Sequence, residues 1–159
     1  MTRSIRILSL VLPSLALGAT AAGAARGVLP RAHDANADRA AKIQVRRTGL
    51  GKILVDGSGN TLYLFTHDRR NQDTCVKINS CTGTWPMLKT SGKPVAGKGV
   101  KSSLLGMIRL AHGVKQVTYR GHPLYTYAFG GGPGDTSYAG TPEFGGTWDA
   151  VNAKARGVQ

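Results

Sequence analysis

Three of the four histidines, one aspartate and both cysteines are the side chains of this sequence best able to do chemistry. They are His67, Asp68, Cys75, Cys81, His112 and His122. Imidazole, carboxylate and thiolate groups are the ligands with which proteins hold zinc and copper. No two of them show a metal-ligand spacing such as H-x3-H or C-x2-C, so the sequence predicts neither a resident metal nor another cofactor. His67, Asp68, His112 and His122 remain as candidate ligands if a metal is bound at all.

The two cysteines, Cys75 and Cys81, are the only ones in the chain. In an oxidising compartment such a pair forms a disulfide, and closing so short a loop stabilises a fold by about 2 kcal/mol. A redox-active pair is the alternative, but the cysteines of thioredoxin-like motifs are separated by two residues rather than five. We therefore predict a structural disulfide in an exported protein.

The N-terminal residues predict export. Arg3 and Arg6 precede an apolar run over residues 7–17, and an A-x-A pattern ends at Ala24. The apolar run is shorter than the roughly 20 residues that span a bilayer, so residues 1–24 are predicted to be a cleavable signal peptide. No cysteine lies near the cleavage site, which argues against a lipid anchor, and no later segment is apolar enough to cross a membrane. The expected location is the periplasm, the cell envelope or the medium.

The formal net charge is +13 at pH 7, and most of it lies in the first half of the chain. Residues 39–109 contain thirteen lysines and arginines against three aspartates. Such a surface attracts anionic envelope polymers, membrane headgroups or acidic proteins. Nucleic acid also binds basic proteins, but export argues against it as a partner. A basic surface that serves solubility alone is the alternative.

The chain contains two copies of one pattern, separated by 62 residues. This offset pairs Val55 with Val117 and Tyr63 with Tyr125, and one inserted residue later it pairs two Gly-Thr-Trp blocks. Self-similarity of this kind indicates two related supersecondary units. The domain boundaries that follow are a signal peptide (1–24), a disordered linker (25–40), a β domain (41–151) and a flexible tail (152–159). Within the domain we assign copy one to residues 43–88, a flexible connection to 89–103 and copy two to 105–151.

Each copy has the pattern of four β-strands. The candidate strands are residues 43–47, 53–55, 62–65 and 85–88, and then 107–111, 116–119, 124–127 and 148–151. Turn-forming residues separate them and no segment has a convincing helical period, so the fold is predicted to be all-β. We expect the two copies to pack about a pseudo-two-fold axis, as a sandwich or a small barrel.

Aromatic side chains recur at every second position in the third strand of each copy. Tyr63 and Phe65 share one face of their strand, and Tyr125 and Tyr127 do so in copy two. Together with the two tryptophans they could stack on a ligand. Paired aromatic residues at this spacing are more typical of a core, and we expect them to be buried.

Residues 63–68 have the sequence YLFTHD, in which four residues separate a tyrosine from an aspartate. With the stretch D-G-x-G-x-T-L-Y that ends at Tyr63 and the later Trp85-Pro86, they resemble a bacterial family known as a secreted repeat of unknown function. Its members are described as predicted lipoproteins with a Y-x4-D motif. The motif positions in the two copies are Tyr63, Phe65, Asp68, Trp85, Tyr125, Tyr127, Asp135 and Trp148. The resemblance covers residues 43–151 and implies a repeat architecture outside the cytoplasm, but no activity.

Copy two departs from the motif, because Gly130 stands where the aspartate is expected and Asp135 follows five residues later. The cysteine that carries the lipid in lipoproteins is also absent. The carboxylate of Asp68 could accept a proton or bind a cation beside His67. Since copy two does without an aspartate at this position, we expect Asp68 to cap its own turn instead.

The sequence has no nucleophile motif such as G-x-S-x-G and therefore predicts no enzyme. We predict an exported, non-catalytic protein of the envelope or the medium that binds anionic partners. The alternative is an extracytoplasmic redox or metal-handling protein that uses the histidines, tyrosines and cysteines.

Overall fold

The structure is a computed structural model that describes residues 39–159. The predicted signal peptide and residues 25–38 of the predicted linker lie outside the described residues. The described chain has one turn of helix, α1 (Cys81–Thr84), and short 3₁₀ segments at Cys75–Lys77, Ser102–Leu104 and Ala111–Gly113. Its strands are β1 (Lys42–Thr48), β2 (Gly51–Asp56), β3 (Tyr63–Phe65), β4 (Val95–Ala96), β5 (Leu105–Arg109), β6 (Lys115–Tyr119), β7 (His122–Pro123), β8 (Thr141–Glu143), β9 (Gly146–Val151) and β10 (Gly157–Val158). The predicted all-β class is confirmed.

The strands form three sheets. The first has the order β2-β1-β4, the second has the order β10-β9-β3 with β8 also paired to β9, and the third has the order β5-β6-β7. β4 pairs with β1 in parallel, and the other pairs are antiparallel. The sequence predicts either a sandwich or a small barrel, and residues 39–159 do not form a closed barrel.

Each copy begins with an antiparallel hairpin, in which β1 pairs with β2 in copy one and β5 pairs with β6 in copy two. β6 then turns into β7 through Arg120 and Gly121, whose φ angles are 52° and 82°. A two-residue turn with two positive φ angles matches the twist of the strands it joins, and glycine adopts this conformation at low cost. The Arg-Gly turn therefore holds the third sheet in register.

The last strand of each copy pairs with the other copy. β9 of copy two pairs with β3 of copy one. Reciprocally, the end of copy one lies along copy two, where the Leu88 N–H donates to the carbonyl of Leu124 (2.8 Å) and the Thr126 N–H donates to that of Pro86 (2.9 Å). Residues 85–88 are predicted as a strand, and of these only residues 86–88 form the extended segment, because Trp85 caps α1. The two copies are thereby interlocked through their backbones.

Tyr63 and Tyr125 lie on the pseudo-two-fold axis that relates the copies. The N–H of each tyrosine donates to the carbonyl of the other, at 2.9 and 3.0 Å. The neighbouring pairs are also related, because Ala150 pairs with Tyr63 as Met87 pairs with Tyr125. The predicted pseudo-two-fold arrangement is confirmed by these matched pairings.

In the second strand of each copy, the correspondence differs by one residue from the sequence alignment. The Leu62 N–H donates to the carbonyl of Leu54, and the Leu124 N–H donates to that of Val117, both at 3.0 Å. Leu54, rather than Val55, is therefore the counterpart of Val117. Both are fully buried in one core, whereas Val55 faces the other, because a one-residue shift in a strand moves a side chain to the opposite face.

Two cores lie on opposite faces of β3, whose residues are all buried. The first core is mainly aliphatic and contains Ile43, Leu54, Leu62, Leu64, Leu88, Val117, Tyr119, Leu124, Val151 and Ala155. The second is mainly aromatic and contains Ile53, Val55, Tyr63, Phe65, Cys75, Cys81, Trp85, Tyr125, Trp148 and Ala150. Strand alternation sends successive side chains of β3 into different cores, which explains why this strand is apolar on both sides.

Two segments that the sequence predicts to be flexible contain strands. In the connection, β4 pairs with β1, and in the tail, β10 pairs with β9. The Asn152 side chain accounts for the second pairing, because its Oδ1 accepts hydrogen bonds from the N–H groups of Lys154 (2.9 Å) and Arg156 (3.1 Å). This turn reverses the chain onto β9. β8 is a further strand absent from the prediction, and its Pro and Glu residues are poor strand formers.

Candidate functional site

Asp68 closes the loop that follows β3. Its N–H donates to the carbonyl of Phe65 (3.0 Å). Its Oδ1 accepts hydrogen bonds from the N–H and the Oγ of Thr74, at 2.7 and 2.6 Å. The disulfide between Cys75 and Cys81 begins at the next residue, so the carboxylate and the disulfide order the same loop.

The second carboxylate oxygen of Asp68 reaches copy two. The Tyr125 hydroxyl donates to Asp68 Oδ2 at 2.7 Å, and Tyr125 is fully buried. Burial and the charges of Asp68 and Asp73 raise the pKa of the Tyr125 phenol, which therefore remains a donor. Burial also raises the pKa of Asp68, against the lowering effect of the bonds from Thr74 and Tyr125. The aspartate of the Y-x4-D motif thus joins the two copies.

The surroundings of Tyr63, the counterpart of Tyr125, are different. Its hydroxyl lies 3.5 Å from the backbone carbonyl oxygen of Asp135, and burial followed by the Asp135 charge raises its pKa. The Asp135 carboxylate accepts bonds from the Ser137 Oγ (2.7 Å), the Ser137 N–H (3.0 Å) and the Gly131 N–H (2.7 Å). These bonds lower the pKa of Asp135. Asp135 therefore orders its own glycine-rich loop and does not take the place of Asp68.

A cleft of about 360 Å³ opens beside Asp68. Leu64 and Phe65 contribute apolar lining, and Asp68, His122 and Arg156 contribute polar groups. These residues come from β3, from the loop after it, from β7 and from the C-terminal turn. The lining of the cleft therefore combines apolar side chains with a carboxylate, an imidazole and a guanidinium.

His122 lies in a cationic environment at this cleft. Burial lowers its pKa, Arg70 and Arg120 lower it further, and Asp68 opposes the shift. The Arg70 side chain crosses the turn at Gly121, where an added Cβ would lie 2.6 Å from Arg70 Cγ. Because a lowered pKa leaves His122 uncharged at neutral pH, the positive charge at this site comes from the arginines.

The candidate metal ligands are not brought together as one site. His67 packs on Phe65 with ring centroids 5.7 Å apart, His112 is exposed in the loop between β5 and β6, and His122 lines the cleft with Asp68. Within residues 39–159, no three His, Cys, Asp or Glu side chains are grouped so that they could hold a metal ion. The predicted disulfide is confirmed, so neither thiol is available as a ligand. The redox or metal-handling alternative gains no support from the described part of the chain.

The motif aromatics form a stack in the second core. Trp85 and Trp148 lie face to face, with ring centroids 4.3 Å apart and parallel planes. Phe65 stacks on Trp148 at 4.2 Å, and Tyr127 packs on Trp85 at 4.7 Å. Both tryptophans and Phe65 are buried, whereas Phe129, which contacts Tyr127, is 69 % exposed. The rings therefore fill the core, and only the end of the stack reaches solvent.

The sequence patterns did not predict a functional role for the arginines near the cleft, which are Arg70, Arg120 and Arg156. Arg156 belongs to the predicted flexible tail, and Arg120 belongs to a turn. A local signal was present for Arg156, because Asn152 is a residue type that accepts hydrogen bonds from backbone N–H groups in turns. No local sequence pattern could predict that Arg70 lies near His122, since Arg70 belongs to copy one, whereas Arg120 and His122 belong to copy two.

The family described as a secreted repeat of unknown function matches the chain twice, over residues 44–89 and 106–152. The two matches together cover more than half of the chain, so the chain belongs to this family, as the sequence resemblance implied. Neither a curated protein nor a solved structure matches the chain significantly. In the described range, 39–159, no helix has the length and apolar character needed to cross a membrane.

Proposed function

We propose that the protein is an exported, non-catalytic binding module whose basic surface engages anionic partners at the cell envelope. The proposal is carried by one observation: the positively charged side chains are exposed at the surface, whereas the carboxylates accept hydrogen bonds within the fold. Residues 39–159 contain seventeen lysines and arginines but only six aspartates and glutamates. All of these cations are exposed except Lys115, which is half-buried.

The six carboxylates are engaged within the fold. Each accepts a hydrogen bond from a backbone N–H or from a neutral side chain, and none of these donors is a lysine or an arginine. They are Asp56, Asp68, Asp73, Asp135, Glu143 and Asp149. The cations therefore determine the sign of the surface potential, which attracts anions and accelerates their association.

Export is part of the proposal. Residues 1–24 have the pattern of a cleavable signal peptide, and the description of the family as secreted agrees with it. No cysteine near the cleavage site is available for a lipid anchor. The anionic partners that an exported protein meets are envelope polymers, membrane surfaces and acidic proteins rather than nucleic acid.

The non-catalytic role is inferred from the hydrogen bonds that the Asp68 and Asp135 carboxylates accept. Asp68 has hydrogen-bond donors on both carboxylate oxygens, and so does Asp135. Carboxylates held in this way are poorly placed to exchange protons with a substrate. The sequence offers no nucleophile motif that would need them.

The test is binding of the mature protein to isolated cell wall and to an immobilised anionic polymer across a salt series. Binding should weaken strongly as salt approaches and exceeds physiological strength, because the Debye length falls to about 8 Å. Protein with acetylated lysines is the control, since it loses charge at surface positions and should bind weakly. Binding that withstands both salt and acetylation would overturn the proposal.

A further inference from the structure

Each copy places an arginine directly opposite a lysine near the end of its first hairpin. In copy one Arg47 of β1 pairs with Lys52 of β2, and in copy two Arg109 of β5 pairs with Lys115 of β6. We call these the first and second basic pairs. Directly opposite residues of an antiparallel sheet have Cβ atoms about 5 Å apart on one face, so the two cations of a pair project into the same region.

The stability of the fold does not account for the basic pairs. Like charges directly opposite each other destabilise an antiparallel sheet. Arg47, Lys52 and Arg109 are exposed. Within residues 39–159, only Lys115 among the four forms a side-chain hydrogen bond to the protein, donating from Nζ to the carbonyl of Ser91 at 2.7 Å. An unfavourable arrangement repeated at equivalent places in both copies points to an anion from outside the protein.

We propose that the two basic pairs are twin subsites for one phosphate-bearing polymer, with each pair holding one phosphate. The inference rests on the proposed function and adds the chemistry of the partner. A guanidinium binds two oxygens of a phosphate at once, and an ammonium beside it supplies a second positive charge. An arginine next to a lysine therefore suits a phosphodiester better than two lysines would.

Two subsites favour a polymer over a small anion. The pairs belong to different sheets and lie on opposite sides of the pseudo-two-fold axis through Tyr63 and Tyr125. A single small phosphate occupies one pair, whereas a chain of phosphates long enough to span the distance between the pairs contacts both. The second contact is then intramolecular, which raises the affinity well above that of either subsite.

A soluble polymer is also favoured over a membrane surface. Proteins that lie on membranes combine cations with apolar side chains that enter the acyl region. The exposed large apolar residues of the described chain are Val76, Val95, Met107 and Phe129. Only Met107 belongs to a strand that carries a basic pair, so the first pair has no apolar companion on its own strands.

The test compares binding of long-chain polyphosphate and of tripolyphosphate to the mature protein. The four-residue variant carries Arg47→Gln, Lys52→Gln, Arg109→Gln and Lys115→Gln. It should bind the long polymer about 100-fold more weakly, because both contacts of a bivalent complex are lost. Each variant that lacks one pair should bind the long polymer only about as tightly as the wild type binds tripolyphosphate.

The matched control removes the same formal charge from lysines outside the pairs. It carries Lys77→Gln, Lys93→Gln, Lys101→Gln and Lys154→Gln. Its affinity for the long polymer should fall only a few-fold, through the general loss of charge. The variant Arg47→Gln with Lys52→Gln removes no side-chain hydrogen bond found in the described range, 39–159, and its circular dichroism spectrum checks that it is folded.

The outcomes separate this inference from the proposed function. Equal weakening in the four-residue variant and in the control would overturn the twin subsites and leave general anion binding in place. A wild-type protein that binds no polyanion would overturn both. Tighter binding to polyglutamate, or to anionic vesicles, than to polyphosphate would overturn the assignment of a phosphate polymer.

Discussion

At the scale of single residues, the Y-x4-D motif acts between the copies rather than within one. Tyr63 and Asp68 belong to the same motif, but the Asp68 carboxylate is bonded to Tyr125, and the Tyr63 hydroxyl lies nearest to the Asp135 backbone. The motif aspartate holds the loop that carries the disulfide against the tyrosine of the other copy. In this chain the motif aspartate therefore marks a contact between the two copies.

Removal of the Asp68 carboxylate should destabilise the protein. We expect Asp68→Ala to lower the free energy of unfolding by about 2 kcal/mol, because it leaves the buried Tyr125 hydroxyl without its acceptor. Urea unfolding measures the change. The matched control is Asp149→Ala, which should cost much less, because within residues 39–159 the Asp149 carboxylate accepts a bond only from the exposed Gln159 amide. Equal losses in the two variants would contradict the junction role.

The raised pKa of Asp68 predicts a pH dependence of stability. A folded-state pKa above the unfolded value means that the folded state binds the proton more tightly. The contribution of this group is full below the unfolded pKa of about 3.9 and is lost as pH rises through the folded value. Wild type should therefore gain stability relative to Asp68→Asn as pH falls from neutral toward about 4.

Comparison of urea midpoints across pH measures this effect. The lowered pKa of Asp135 acts in the opposite direction, because its stabilising contribution is lost as pH falls through its folded value. Since Asp135 is present in both proteins, its effect cancels in the difference. A difference that stays constant with pH would show that the Asp68 pKa is not raised by folding.

At the scale of elements, the first hairpin of each copy combines a buried face with a repulsive end. Ile43 and Leu54 of the copy-one hairpin are fully buried in the first core, and this burial sets the register. The same register places Arg47 opposite Lys52. The hairpin is thus stabilised by its core face in spite of the charges near its loop.

Neutralising the first basic pair should stabilise the protein. We expect Arg47→Gln with Lys52→Gln to raise the free energy of unfolding by a few tenths to about 1 kcal/mol at low salt. The gain should shrink with added salt, which screens exposed charges. Thermal unfolding in a salt series measures it, and Lys77→Gln with Lys93→Gln is the control of equal charge. An unchanged midpoint at low salt would show that the opposed cations do not repel.

At the scale of the whole molecule, each copy supplies an extended segment that pairs with the other. β9 completes copy one, residues 86–88 complete copy two, and the two tryptophans stack against each other between them. If copy one were alone, β3 would lack β9, and if copy two were alone, it would lack residues 86–88. The duplication produces a single interlocked domain rather than two adjacent ones.

Separated halves should therefore fold only together. We expect the fragments 39–100 and 101–159 to be unfolded individually and to recover structure when mixed, because each supplies the other's last strand. Far-ultraviolet circular dichroism reports the recovery through the coupling of the stacked Trp85 and Trp148 rings. Intact Trp148→Phe protein, which lacks the coupling, is the spectroscopic control. A fragment that folds alone would contradict the exchange of strands.

The sequence by itself determined the all-β class, the duplication, the disulfide and the buried aromatic pattern. These features depend on local quantities, namely residue type, alternation along a strand and spacing along the chain. The period of two in β3 is enough to assign Leu62 and Tyr63 to opposite faces. The disulfide between Cys75 and Cys81 is predicted from equally local information, namely the number of cysteines and their spacing.

Only the tertiary structure decided which copy supplies each last strand, which tyrosine Asp68 bonds, and where the arginines gather. Each of these depends on how the two halves dock, and docking is a property of the packed cores rather than of any one segment. The same holds for the tail, because its strand β10 pairs with β9, and β9 is paired on its other side with β3 of copy one. The basic pairs also depend on the tertiary structure. Burial of the apolar residues sets the register of each hairpin, and that register places the arginine opposite the lysine.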